Sequence, residues 1–374
     1  MIPFAKPEFS EKTVETILQN ISDALKSGYL TNGPYVRLVE EKFSGILSSL
    51  YVAATSSCTA SLHLAMLLAG ISKGDEVIVP SNTFVSTANA VVYCGGKPIF
   101  AEIETDTFNL DPLDVENKIT DQTKAIIPVH LGGNPCDMTA FQRIASEHNL
   151  LLIEDCAHAH GAYYKNNPCG TFGDLSCFSF YPTKVIPSAE GGLLVTKNPE
   201  FDKKGRILLN QGRQGFGPSS IEEIGYNYRM NELQAILINS QISMLPELIQ
   251  YRTKLANRYR RNLADSDYVN LQEVRVGNIH SYYSFIVSLP HGFRDEVRKL
   301  LTKEGVETSI LYHPIHQQAA YQKIIGADSV SLPTTEDICS KTIALPMHLA
   351  MDESTVDIVS TKLLESIEWI TKNQ

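Results

Sequence analysis

Short, largely apolar runs at residues 51–54, 76–79, 98–101, 125–129 and 150–153 alternate with segments of helical periodicity at 59–69, 85–93, 112–119 and 138–148. Runs this short, without polar alternation, suit strands covered on both faces. Strands joined through helices lie parallel, because a hairpin cannot connect parallel neighbours. The pattern therefore predicts an α/β fold with a mostly parallel sheet flanked by helices. In such sheets ligands gather outside the C-terminal ends of the strands, where the loops converge. Asp155 stands at such an end.

Helical periodicity also appears at 11–26 and 35–47, and a further strand at 193–196 leads into a helix at 199–209. The polar, glycine-containing stretch 210–220 reads as an exposed loop. A long helix spans 231–245, and Pro246 ends it and starts another at 247–263. That break divides the chain into a large domain, 1–246, and a smaller C-terminal α+β domain, 247–374. The latter carries strand-like stretches at 281–287 and 306–311 and helices at 294–304 and 354–372.

The net charge of -10 over 374 residues argues against a nucleic-acid surface, which needs clustered Lys and Arg. No apolar stretch reaches membrane-spanning length, and MIPFAKPEFSEK lacks the basic start and apolar core of a leader. The seven cysteines form no CxxC pair and read as reduced thiols of a cytoplasmic protein.

The chemistry concentrates in IEDCAHAHGA (153–162) and SCFSFYPTKVIPSAEGG (176–192). A strand end carrying Asp155, followed by a loop lysine, Lys184, suits pyridoxal 5'-phosphate (PLP). The lysine forms a Schiff base with the aldehyde, and the carboxylate keeps the ring nitrogen protonated so that the ring accepts electrons. An isolated PTK triplet would be an ordinary solvated lysine; the surrounding segments give it meaning. ATSSCTASLHLA (54–65) places small polar residues at a helix start, where free N–H groups and the dipole seat a phosphate and Thr59 adds a hydroxyl. Read alone it is a plain N-cap. Phe84, just past the strand VIVP, can stack on a flat ring or simply pack, and Ser179 precedes Lys184 by five residues. His158 and His160, two apart near Asp155, also admit a metal reading. Cys156 admits a nucleophile reading, and His160 admits a structural one, bonding backbone. None of these accounts for Lys184 and the phosphate seat together.

Taken together, the segments resemble the DegT/StrS family of PLP-dependent sugar aminotransferases. The motifs that carry the resemblance run in order through the chain. They are GYLTNGP (28–34), TSSCTASLHLA (55–65), PSNTFVSTANAVVYCGGKPIF (80–100), DTFNLDP (106–112) and PVHLGGNPCDM (128–138), then the two segments above, GYNYRMNELQAI (225–236), YHPIH (312–316) and LPMH (345–348). The resemblance implies a type I aminotransferase fold and a homodimer with active sites shared across the interface. It implies that Lys184 is the Schiff-base lysine and proton shuttle, that Asp155 pairs with the ring nitrogen, and that Phe84 stacks on the ring. The phosphate contacts would be Thr59, Cys58 through its backbone, and Ser179, with Asn227 reaching the partner's cofactor. His158 stands where the family commonly has Gln, near the ring hydroxyl, and Cys58 where Gly is common. A dehydratase branch carries His in place of the lysine, so Lys184 implies transamination.

The implied reaction is a ping-pong cycle through pyridoxamine 5'-phosphate (PMP), with L-glutamate as donor and a nucleotide-linked keto sugar as acceptor. The opening IPFAKPEF…SGYLTNGP is more similar to members that aminate carbon 4 than carbon 3. Lys26, Arg213, Arg229 and His316 are candidates for the nucleotide phosphates. A keto-cyclitol acceptor, or a non-catalytic regulator on the same fold, is the alternative; the presence of both Asp155 and Lys184 points to catalysis.

Overall fold

The computed structural model describes residues 1–374 except 49, 215–219, 327–329 and 374. The first strands are β1 (Tyr51–Thr55), β2 (Glu76–Pro80), β3 (Lys97–Ala101), β4 (Thr123–Ile126) and β5 (Leu151–Asp155). A small hairpin, β6 (Tyr163–Tyr164) and β7 (Asn167–Pro168), then precedes β8 (Leu175–Ser179) and β9 (Gly192–Thr196). Among the described residues, all but the hairpin form one seven-stranded sheet of order β1-β9-β8-β5-β4-β2-β3. Pairings β8–β5, β5–β4, β4–β2 and β2–β3 are parallel; β9 alone is reversed, antiparallel to both β1 and β8.

The apolar runs are strands because both sheet faces are covered. Val52 and Ala54 join one core with Phe43, Ile126, Leu152 and Phe178. Ala53, between them, faces the opposite core with Leu64, Val77, Ile153 and Leu175. Helices α1 (Glu11–Ser27), α2 (Pro34–Ile46), α3 (Cys58–Leu68) and α4 (Ser86–Tyr93) end within a residue or so of the predicted bounds. Nearly every side chain of α3 is buried, which explains its lack of a polar face.

A second, antiparallel sheet joins β10 (Asn270–Leu271), β11 (Phe285–Ser288) and β12 (Thr342–Leu345). Its core includes Tyr259, Phe285, Val297 and Leu363. Here the sequence reading needs correction. Residues 306–311 form no strand; they are tied only by the isolated bridges Ile2↔Val306 and Ser309↔Ala344. β12 fills the sheet, and the polar 307–309 segment turns away so that Ser309–Tyr312 reach the large cavity. The N-terminal residues strap this unit: Ile2 N donates to Gly305 O (2.7 Å), Met347 N to Phe4 O (3.4 Å), and His348 Nε2 to Pro3 O (3.0 Å).

The stretch 210–220 is also more than a loop on the surface. Asn210 and Gly212 are buried, and bridges Asn210↔Asn227 and Arg213↔Ile221 hold it; its residues 215–219 lie outside the described residues. Among the described residues no helix is long and apolar enough to cross a membrane.

Candidate active site

The reversed strand β9 runs close under the start of α3. Its first residue, Gly192, pairs with Thr55 at the end of β1 on one side and with Ser179 at the end of β8 on the other. The sequence after Thr55 enters α3, capped by Ser57, whose hydroxyl accepts from Ala60 N at 3.2 Å. A Cβ on Gly192 would lie 2.5 Å from Ser57 C and O and 2.6 Å from Cys58 N. Only glycine therefore lets β9 pass this close under the helix start. Cys58 and Thr59 are the first helical residues, whose N–H groups have no acceptor within the helix. The Thr59 hydroxyl meets Ser86 Oγ at 2.8 Å, joining α3 to α4.

Asp155 ends β5 and is 4% exposed. Its Oδ2 accepts from Thr87 Oγ1 at 2.8 Å and its Oδ1 from Ala157 N at 3.1 Å. Burial pushes its carboxyl above the usual range, against the pull of those two donors and of the Lys184 charge. A buried carboxylate in this state calls for a cationic N–H partner. Lys184 sits in the turn after β8, and its Nζ lies 4.4 Å from the centroid of the Tyr283 ring. Tyr283 in turn stacks on His158 at 4.1 Å, with an 18° interplanar angle, and bonds Thr183 Oγ1 at 3.1 Å.

His158 is buried; Gly132 N donates to its Nδ1 at 3.3 Å and its Nε2 lies 3.1 Å from Tyr312 Oη. Burial, and next the Lys184 charge, hold its pKa well below the ordinary value. Burial thus favours the neutral imidazole. His160 was read as bonding backbone. Instead, among the described residues neither ring nitrogen has a hydrogen-bond partner, and the ring is packed by Phe178 (5.4 Å), Phe180 (5.2 Å) and Phe43 (6.3 Å). Burial pushes its pKa down to about 3. The two histidines thus sit in different surroundings, and neither joins a metal-ligating group with Asp155 among the described residues. Burial also holds the Cys156 and Cys58 thiols well above their ordinary value, the reverse of an activated nucleophile.

Seven of the eight predicted site residues line one cavity of about 1230 Å³: Cys58, Thr59, Phe84, Asp155, His158, Ser179 and Lys184. Phe84 projects into it, 57% exposed, with its ring centroid 6.1 Å from that of Tyr312. Asn227 is exposed and lies outside the lining. Of the phosphate candidates, Lys26, Arg213 and Arg229 do not line it either. His316 is buried with both ring nitrogens engaged, by Ser81 Oγ (2.8 Å) and Glu336 Oε1 (3.1 Å). Thr87, Tyr283 and Tyr312 were not assigned from sequence. Thr87 had a local signal, a hydroxyl on the first turn after Phe84, and Tyr312 opens the YHPIH motif.

The sequence matches the DegT/DnrJ/EryC1/StrS aminotransferase family over residues 11–364. It is 32% identical to the spore coat polysaccharide biosynthesis protein SpsC of Bacillus subtilis, across 99% of this chain and 97% of that protein. The fold is similar to that of DesV of S. venezuelae, solved in complex with a ketimine intermediate. That pair has a TM-score of 0.91 and 32% identity over 97% of this chain and 98% of DesV. It is also similar to NtdA of Bacillus subtilis with bound cofactor PMP, at TM-score 0.90 and 30% identity over 96% of this chain and 83% of NtdA. A lysine and a buried strand-end carboxylate facing one cavity beside a glycine-backed helix start, on this sheet and with this sequence match, make the chain a member of the DegT/DnrJ/EryC1/StrS aminotransferase family.

Proposed function

We propose that this enzyme is a PLP-dependent sugar aminotransferase that moves the amino group of L-glutamate to a nucleotide-linked keto sugar, at carbon 4, for amino-sugar and polysaccharide biosynthesis. The observation that carries the reading is the convergence of Lys184 and the buried Asp155 on a cavity that also receives the start of α3. The residues fit the cofactor. Among the described residues no cationic group hydrogen-bonds Asp155, as a pyridinium N–H would, and the close approach of Gly192 leaves the Cys58 and Thr59 N–H groups facing a space suited to a phosphate.

What the cofactor supplies when bound is an aldehyde that takes up the amino group and a ring that accommodates the electron pair left by a departing C–H proton. The chain does the rest. Asp155 would accept the hydrogen bond of the ring nitrogen, its two carboxylate oxygens held in place by the Thr87 hydroxyl and Ala157 N–H. The α3 start, Thr59 and Ser179 would hold the phosphate, and Phe84 would cover the ring. The Lys184 amine would take up and return a proton at Nζ as general base and acid. Asn227, exposed and away from this cavity, is free to reach the partner subunit's site. The second sheet and its helices, residues 247–374, act as a smaller domain bordering the site.

Product mass spectrometry with glutamate, PLP and a panel of dTDP-, UDP- and GDP-linked 4-keto and 3-keto sugars tests the proposal. We expect one acceptor to gain an amine, and Lys184→Ala to lose turnover by at least about a thousandfold while still binding PMP. An undiminished rate in that variant sinks the assignment. A phosphate-free acceptor such as a keto-cyclitol is the second reading. Among the described residues lining the cavity, Lys184 is the only Lys or Arg. Amination of a keto-cyclitol with no reaction of any sugar nucleotide would establish that alternative.

A further inference from the structure

His158 does not present its outer nitrogen to the cavity as a free group. The Gly132 N–H can only donate, so Nδ1 must be the bare nitrogen of the neutral ring. The proton then sits on Nε2 and is donated to Tyr312 Oη at 3.1 Å. Tyr312 accepts at its oxygen and keeps its own O–H proton for another acceptor. Its ring borders the cavity beside Phe84, and Tyr283, stacked on His158, holds the imidazole plane from the side.

The sheet order fixes which part of a bound cofactor this hydroxyl meets. With Asp155 on β5 as reference, Ser179, Gly192 and the α3 start lie on the β8, β9 and β1 side. Gly132, which His158 bonds, follows the C-terminal end of β4, the strand that flanks β5 on the opposite side. In PLP and PMP the phosphate arm and the ring oxygen flank the position opposite the ring nitrogen, one on each side. With the nitrogen at Asp155 and the phosphate at α3, the ring oxygen points toward Gly132, His158 and Tyr312.

We propose that Tyr312 supplies the hydrogen-bond donor to the cofactor's ring oxygen, and that His158 is a positioning residue that fixes the direction of the Tyr312 hydroxyl. The inference rests on the assignment of Asp155 and the α3 start to the cofactor. It gives His158, which the resemblance puts near the ring hydroxyl, an orienting role in that site.

Titration of PMP into the cofactor-free full-length protein tests it, because PMP binds without a covalent bond to Lys184. Tyr312→Phe should raise Kd about ten- to a hundredfold, the range for a hydrogen bond to a charged oxygen. His158→Leu should do the same, and the double variant should lose no more than Tyr312→Phe alone. His158→Gln, whose amide accepts from Gly132 and donates to Tyr312, should stay within a few-fold of the unaltered protein. A PMP analogue with hydrogen in place of the ring hydroxyl should bind the unaltered protein and Tyr312→Phe equally. Unchanged PMP affinity in Tyr312→Phe, or an equal loss for the analogue, overturns the proposal. So does a change confined to KM for the sugar acceptor, which would aim the hydroxyl at substrate. If the unaltered protein and Lys184→Ala both fail to bind PMP, the cofactor assignment itself falls as well.

Discussion

His160 is neutral in the fold, so its burial makes stability depend on pH. Its pKa is about 3 in the folded chain against an ordinary 6.5. Between those values the unfolded chain binds a proton that the folded chain refuses, so stability is full above pH 6.5 and falls as pH drops through the window. The slope is about 1.4 kcal/mol per pH unit for one group. The phenyl rings around it would accept another, and His160→Phe removes the titration. We expect His160→Phe to gain about 2 kcal/mol relative to the unaltered protein between pH 7 and pH 5, measured as the difference of urea unfolding free energies. Equal losses in both proteins on acidification would contradict this. His158 and His280 are displaced in the same direction, and their slopes cancel in the comparison. At this scale the convergence of Lys184 and Asp155 on one cavity was legible, because a loop lysine and a strand-end carboxylate were read together with the segments around them. The pairing of His158 with Tyr312 was not, because it joins residues 154 positions apart and arises only when 306–312 leaves the second sheet.

Among the elements, β9 matters most to the site, because its reversal brings a glycine between the ends of β1 and β8. Gly192→Ala meets backbone atoms of Ser57 and Cys58, which cannot swing aside as a side chain could. We expect the variant to fold with a lower Tm and to bind PMP about tenfold or more weakly. Gly205→Ala, whose added Cβ would meet only the Leu194 and Leu68 side chains, should leave PMP affinity unchanged. Equal affinity in both variants would remove β9 from the phosphate seat. The parallel strands were legible because two-sided burial leaves an apolar run that few other environments explain. The second sheet was harder. The 306–311 segment has strand-like composition but finds only single bridges, whereas β12, between a helix end and Pro346, has just four residues in which to show a pattern. Helices Ala319–Ile325 and Pro333–Lys341 were passed over, since they are short and bury few residues each.

At the scale of the whole molecule, the proposed sharing of each site between two subunits makes a prediction that one cavity alone does not. On that proposal Lys184→Ala would disable the cavity of its own chain, and Asn227→Asp, placing a negative charge where a phosphate is expected, would disable the neighbour's. Each should be nearly inactive alone. Mixed and allowed to exchange, they should recover about a quarter of normal activity, since half the dimers are then mixed and each carries one intact site. No recovery on exchange confirmed by mass spectrometry would place Asn227 outside the site. The N-terminal strap bears on how such a site comes into being during translation. Phe4 lines the cavity, yet its backbone N–H is held by Glu307 and the carbonyl of Pro3 by His348, 303 and 345 residues further along. Residues 2–4 therefore leave the ribosome long before the partners that seat them exist. A nascent chain can finish β1 to β9, with Lys184 and Asp155 already made, and still have one wall of the cavity open. The cavity wall is therefore completed only late in synthesis, and a chain ended before residue 305 is expected to bind PMP more weakly than the full-length protein in a direct titration.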